Sequence, residues 1–411
     1  MKKSLLVTAI LILINLNTSI CYSQAWINKS LPDTRAILSM LMTDSTTGWL
    51  AGINGLFYKT TDGAKIWQDK TMDTNHILQN LIFTDAKHGW IQEVSRTGPN
   101  LLYTTDTGNN WLPGSLANAE EVGTIFFIDS SNGFFAGVYF IPSSSSLFRT
   151  NDGGKNWTDL VLNYSSWITC YSVVDSNNFW LAGENGLLVN SKDGGKTWSQ
   201  INSNLRDNIT LIHFFSQNSG IVTCDSLIYL TNDGGNNWNR ANSFPNINYI
   251  SGMQFINKNI GWLSCFTNSN KGTILYTNNG GEDWIQLNIV GEYGFDNVYF
   301  IDENHGWAMG ENGSLFYTKT GGFETAVKEN NLNINIKIIN YNGIVTINLL
   351  DDSNNNIISL YDIFGELIFK QNIENKNEFS FDFSHFTIGT YLININNINN
   401  NKISNYIIQN Y

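Results

Sequence analysis

Short runs in which apolar and polar residues alternate follow one another along the chain, the period-two pattern of half-buried strands. In the copy at 297–317, residues 297–301, 307–309 and 314–317 alternate in this way, and a turn cuts off each run. A fourth run begins at a Trp after the next turn. That turn carries a box: a hydroxyl residue, Asp two on, Gly two further and Trp three after that. Residues 150–157, 191–198 and 231–238 keep every position, and 104–111 keeps them with Thr107 between Asp and Gly. Residues 60–67 have Ala64 in place of the Gly, 277–284 have Asn279 in place of the Asp, and 318–323 are a decayed last copy. A carboxylate or amide that accepts hydrogen bonds from the backbone beyond it builds a tight turn, and Gly there supplies positive φ. The hydroxyl ends one strand, and the Trp opens the next and buries its ring. Asp62, Asp106, Asp152, Asp193, Asp233 and Asn279 are therefore expected to be structural, as are Trp67, Trp111, Trp157, Trp198, Trp238 and Trp284. Asn279 and Thr320 show that the charge is dispensable.

From the Asp positions to Thr320 the spacings are 44, 46, 41, 40, 46 and 41 residues. A second signature has the same period: Gly48-Trp49, Gly89-Trp90, Gly133-Phe134, Phe179-Trp180, Gly220-Ile221, Gly261-Trp262 and Gly306-Trp307. A turn residue lies four before each: Asp44, Asp85, Asp129, Asp175, Ser216, Asn257 and Asp302. Self-similarity at this period, with several short strands per unit, predicts an all-β, seven-bladed β-propeller of four-stranded blades. Asn54-Gly55, Asn185-Gly186 and Asn312-Gly313 mark two-residue hairpins. The seventh unit loses its pattern after Phe323, while Trp26-Ile27-Asn28 has the residue pattern of a strand just after a box. That segment is expected to be the outer strand of the seventh blade, so that no unpaired edge remains. Three units are long because of their second hairpins, at 92–100, 138–146 and 266–273, which read as loops. The face bearing those hairpins and the blade-to-blade connections is the variable one, where binding is expected.

Composition shifts after 323. Residues 334–411 are rich in Ile and Asn, with alternating runs at 336–339, 344–349, 358–361, 368–371, 378–383 and 391–395, a small β-sandwich of about seven strands. At the other end, Lys2 and Lys3 precede an apolar run at 5–16 and small residues at 23–25, an export signal too short to span a membrane. The expected domains are thus a leader at 1–24, the propeller at 25–323, a linker at 324–333 and the sandwich at 334–411. Aromatic residues are 13% of the chain and charged ones only 14%, which suits an all-β protein with an Asn, Ser and Thr surface. The net charge of −12 disfavours nucleic acid and anionic membranes as partners. Beyond Cys21 in the leader, Cys170, Cys224 and Cys265 are too few and too scattered for a disulfide framework or a zinc site, and core packing is expected.

The co-occurring Gly-Trp-x-x-Gly and Asp-box signatures, fully legible at 179–198, resemble those of BNR/Asp-box proteins. The resemblance is to seven-bladed propellers similar to the photosystem II stability/assembly factor, and it covers about 25–323. Relatives of that fold include assembly factors, glycosidases and receptors, so it implies fold rather than activity. The tail resembles the type IX secretion sorting domain of Bacteroidota. Residues 358–370 look like its central hairpin, 386–395 like its Gly-x-Tyr strand and 402–409 like its last strand. The Pro-Asn-Pro often found at its start is missing. This resemblance implies export through the periplasm to the surface of a Gram-negative cell or beyond, the type IX machinery as partner, and removal of the tail there.

Catalytic chemistry is sparse. A sialidase needs three arginines on the substrate carboxylate and a Tyr nucleophile. Only Arg35, Arg96, Arg149, Arg206 and Arg240 are present, and Arg149 sits on the box side. Endoglucanases with similar boxes work in a cleft between two propellers, whereas one is expected here. A glycosidase pair would have to come from Glu93, Glu184, Asp225 or Glu311 near the hairpin face. Glu93 replaces the Gly found four residues after the Gly of Gly-Trp in other units, although an acid at an irregular loop accounts for it as well. His88 and His305 share a turn position, and His76, His213 and His385 have no neighbours at ligand spacing, so neither metal nor cofactor is expected. Tyr139, Phe140, Tyr164, Trp167, Tyr293 and Phe295 fall in connections on the variable face, where rings stack on sugars or clamp a peptide. The expectation is a secreted, non-enzymatic binding propeller for an extracellular glycan or protein. An extracellular glycoside hydrolase acting on polysaccharide is the alternative.

Overall fold

The computed structural model describes residues 25–323, save 73–74, 96–97, 115, 117–118, 141–142, 163, 242–243 and 290, and then seven strands between 336 and 410 with residues 383 and 386. The expected leader with Cys21, the linker at 324–333, Arg96 and His385 lie outside the described residues. Trp26–Gly322 forms one compact unit. Among its described residues are seven four-stranded antiparallel sheets. In the fourth, Ile168–Val173, Phe179–Gly183, Leu188–Ser191 and Ser199–Ile201 pair in succession.

The box turns fold as their residue types dictate. Ser191 Oγ donates to Asp193 Oδ1 at 2.9 Å and accepts from Gly195 N at 2.8 Å. Asp193 Oδ1 in turn accepts from the backbone of Lys196 and Thr197. Asn279 makes the same bonds to Thr277 Oγ1 and Asp283 N, so the turn needs an acceptor rather than a charge. Gly195 has φ +77, and a Cβ there would stand 2.3 Å from Phe134 in the preceding sheet. The box therefore also lets consecutive sheets approach. Trp90 and Trp262 are buried and donate to Gly153 O (2.9 Å) and Gly321 O (3.2 Å) in the box turn of the next sheet. Of the box tryptophans Trp284 is buried and the others are half-buried, with Trp198 set edge-on to Phe134.

The hydroxyl of the box is testable. Thr231 is buried, donates to Asp233 Oδ1 and accepts from Gly235 N. Thr231→Val keeps the shape but strands a buried N–H, and is expected to cost about 1–3 kcal/mol in chemical denaturation. Thr231→Ser, the residue already used at Ser191, should stay within about 1 kcal/mol of the parent. Equal stability of the two variants would remove the hydroxyl from this account.

The seventh sheet contains Phe295–Phe300, Gly306–Gly310, Leu315–Thr318 and, at its edge, Ile27–Asn28. Ile27 pairs with Tyr317 and Asn28 with Phe316, while Trp26 is only 3% exposed. The N-terminal segment is thus the outer strand that the sequence predicts. The first sheet packs on the seventh: Met42 N donates to Tyr299 Oη at 3.1 Å, and Ile37 and Met40 share a core with Trp307 and Met309. In the short hairpins Asn54 and Gly55 have φ +50 and +71, Asn312 and Gly313 +54 and +65, as a type I′ turn requires.

The three expected long loops differ from expectation. Gly89–Ser95 pairs with Gly98–Thr104, Gly133–Phe140 with Ser143–Thr150, and Gly261–Thr267 with Gly272–Thr277. Extending the ladder satisfies backbone groups that a loop would leave to water. Glu93, Tyr139 and Phe140 consequently stand on strands rather than in connections.

In the tail, Ile336–Tyr341, Ile344–Leu349 and Glu378–Asp382 form one sheet. Asn355–Asp362, Leu367–Glu374, Gly389–Asn397 and Lys402–Asn410 form the other. Val345, Ile347, Ile358, Leu360, Phe383 and Ile393 share one buried core.

Candidate binding face and central cavity

Six of the seven inner strands carry a register shift; in five of them the extra residue is Leu38, Gly123, Thr169, Ser251 or Asp296, and the strand with Ser251 has a second shift at Asn248. A bulge takes its residue out of the ladder and re-aims the side chain. Each of those five stands ten residues before its Gly-Trp signature, and the same count lands on Gln79 and Thr210 in the other two units. Leu38, Gln79, Ser251 and Asp296 line one cavity of about 540 Å³, together with Ser39, Asn80, Leu211, Asn248, Tyr249, Phe266, Asn270 and Asn297. Five sheets contribute to it, from the ends of the inner strands and one long hairpin. It therefore lies on the variable face.

Among the described residues Asp296 is the cavity's one charged lining residue. At the equivalent bulges Thr169 Oγ1 donates to Ile209 O (3.2 Å), just ahead of the neighbouring inner strand, and Ser251 Oγ to Phe295 O at the start of the next one. An ionised Asp296 has no proton for such a bond, and its Oδ2 is buried without a hydrogen-bond partner. Burial, and then the nearby charge of Glu311, push its carboxyl up to about 7. Glu311 sits in the adjoining hairpin, where its Oε2 accepts weakly from Gly294 N at 3.4 Å. The ion pairs among the described residues are Asp33–Arg35, Glu93–His76, Asp85–His88 and Asp302–His305, so neither Asp296 nor Glu311 has a cationic partner there.

The sequence candidates divide into groups. Phe140, 48% exposed, meets Trp167 edge-on with centroids 5.4 Å apart. Tyr164 lines a separate cleft of about 620 Å³ with Asn185, Gln200 and Ser203, and pairs through its backbone with Ser145. Tyr139 is half-buried on the strand beside Phe140. Tyr293 is exposed, whereas Phe295 is fully buried against Phe316 and offers no ring to a ligand at the surface. Glu93 is held by His76 Nδ1 at 2.7 Å and Asn100 Nδ2 at 3.3 Å. Glu184 and Glu311 lie in hairpin turns of the fourth and seventh sheets, and Asp225 in the fifth, so these acids stand on separate sheets.

His88 and His305 are turn residues bound to Asp85 and Asp302. His213, brought to about 4 by burial, stacks on Phe255. Cys170, Cys224 and Cys265 are free and buried. Among the described residues no three His, Cys, Asp or Glu side chains gather as a metal set. No helix there is long and apolar enough to cross a membrane. Sequence reading missed Asp296, Tyr249 and Ser251, although counting ten back from each Gly-Trp aligns the bulge positions.

Repeated four-stranded sheets, Asp-box turns and a cavity at the inner-strand ends define a BNR-repeat β-propeller. The family described as photosynthesis system II assembly factor YCF48 matches in overlapping stretches at 18–120, 65–165 and 114–243, more than half of the chain, and the chain belongs to it. A sortilin-type family matches at 186–302, and the secretion system C-terminal sorting domain at 329–409. A photosystem II assembly lipoprotein Ycf48 of Synechococcus sp. (strain CC9902) is 26% identical over 302 residues, 68% of this chain and 83% of that protein. A solved YCF48 bound to D1 peptide superposes with a TM-score of 0.58 at 21% identity, over 72% of this chain and 96% of that one. A GH74 enzyme from Niastella koreensis reaches 0.56 at 12% identity, over 93% and 74%. At these identities the solved structures show the fold alone. The sorting-domain match implies export by type IX secretion to the cell surface or outside.

Proposed function

We propose that this protein is a non-enzymatic binding propeller, exported by the type IX machinery and released from or held at the outer surface, with its ligand taken on the face that carries the central cavity. The observation that carries this is the joining, on one chain, of a family propeller and a sorting domain. The exposed Phe140 with the half-buried Trp167 beside it, the cleft at Tyr164 and the cavity at Asp296 support that face as the binding side. That a YCF48 propeller has been solved with a peptide supports a peptide-like ligand here. The domain limits proposed are 1–24, 25–323, 324–333 and 334–411, with the tail acting as the address.

Two measurements test this. In a cell with a working type IX system, the full chain should be found outside, and a chain ending at 325 should stay in the periplasm. External appearance of both would overturn the sorting role. A screen of the purified full chain against a polysaccharide panel should show no turnover. Hydrolysis abolished by Glu93→Gln or Glu311→Gln would replace binding by glycoside hydrolysis.

A further inference from the structure

We infer that the central cavity binds a primary ammonium group on an aliphatic stem, as a lysine side chain presents it, with the Asp296 carboxylate as counter-ion. The assignment deepens the binding role proposed above and rests on it. Four observations support it. Among the described residues Asp296 is the one charge lining the cavity, which argues against an anionic ligand. Its Oδ2 is buried and unpartnered, so the protein gives the carboxylate no donor on that side and a compensating cation has to come from the cavity. Glu311 adds a second negative charge nearby, and neither acid has a cation of the protein beside it among the described residues. The remaining lining splits as an ammonium and its stem require: amide oxygens of Gln79, Asn248 and Asn270 to accept N–H bonds, and Leu38, Leu211 and Phe266 to line a methylene chain.

The groups that titrate around Asp296 are few. The hairpin beside it brings Glu311, the inner strand of the sixth sheet brings Tyr249, and the strand next to that brings Cys265. Burial raises Tyr249 and Cys265 above their ordinary values, so both stay neutral between pH 5 and 9. The inner strand of the first sheet, Ile37–Met42, brings no titratable group. Within this range the ammonium stays charged, and binding follows the ionisation of Asp296. With its midpoint at about 7, the ionised fraction rises about ten-fold from pH 6 to pH 8.

The test is a calorimetric titration of the purified full chain with Ac-Ala-Ala-Lys-Ala-Ala-NH2, the same peptide with norleucine for lysine, and 1,5-diaminopentane. Expected is association with the lysine peptide that strengthens about ten-fold from pH 6 to pH 8 and is at least ten-fold weaker for the norleucine peptide. Asp296→Asn should remove the difference between the two peptides. Glu311→Gln should keep the lysine preference and move the pH midpoint below 7, because a repelling charge is gone; thermal melts confirm that both variants are folded. Diaminopentane binding as tightly as the peptide identifies a free amine as the source, and tighter peptide binding identifies a protein partner; both support the ammonium site. Equal binding of lysine and norleucine peptides, no binding at pH 8, or a parent-like Asp296→Asn overturns it. The titration needs neither export nor a natural partner, so its failure is distinct from a failure of the proposed function.

Discussion

Asp296→Asn is expected to stabilise the protein at pH 8 by about 2–3 kcal/mol relative to its effect at pH 4, and to raise the melting temperature there by about 4–8 °C. The carboxyl titrates at about 7 in the folded chain, against 3.8 when unperturbed. Between those values the folded state holds a proton that the unfolded state has lost, so raising the pH favours unfolding. The contribution of Asp296 is complete below about pH 4 and is lost as the pH rises through 7. The gap, at about 1.4 kcal/mol per pH unit, sets a ceiling of about 4 kcal/mol, and partial exposure of the carboxyl reduces it. Asn carries no charge at any pH and escapes the loss. Melting curves of variant and parent from pH 4 to 8 decide the matter, since groups not coupled to Asp296 cancel in the difference and Glu311 is the one charged neighbour coupled to it. A difference that stays flat across that range would mean that Asp296 titrates like an exposed acid.

Trp26→Ala is the second large effect, with an expected cost of about 3–5 kcal/mol. The ring is 3% exposed, lies edge-on to Phe300 with centroids 6.1 Å apart, and sits beneath Gly322. Its removal empties a site at the junction of the first and last parts of the unit and loosens the strand that covers Phe316 and Tyr317. The exposed backbone edge then invites association between molecules. Denaturation and light scattering should show lower stability and more self-association. Leu112→Ala, at a side chain 47% exposed, serves as the control and should stay within about 0.5 kcal/mol of the parent. If the two variants behave alike, the N-terminal segment is not what holds the last sheet.

Much of the architecture was legible because it is built from local interactions repeated at one period. The Thr150–Asp152–Gly154 bonds span four residues, and so do those at Thr277–Asn279–Gly281. The outer strand at Ile27–Asn28 was legible too, since a unit without its fourth strand and a terminus with a spare one complete each other. Hairpin lengths were read less well. Residues 138–140 and 143–146 keep pairing because their backbone groups meet partners, which composition does not report.

The site depended on the fold. Glu93 looked like an acid at an irregular turn, and its partner His76 lies 17 residues away, just ahead of the neighbouring strand Ile77–Phe83. Phe295 looked like a loop aromatic and proved to be core. Asp296 drew no attention as one acid among many, because a carboxyl is perturbed by what surrounds it rather than by its neighbours in sequence. The repeat, its turns and the strand that completes the seventh sheet were thus determined by the sequence alone, through contacts a few residues apart or a pattern that recurs. Which side chains share the central cavity, and which acid is buried there without a partner, was decided only when sheets more than two hundred residues apart in the chain came together.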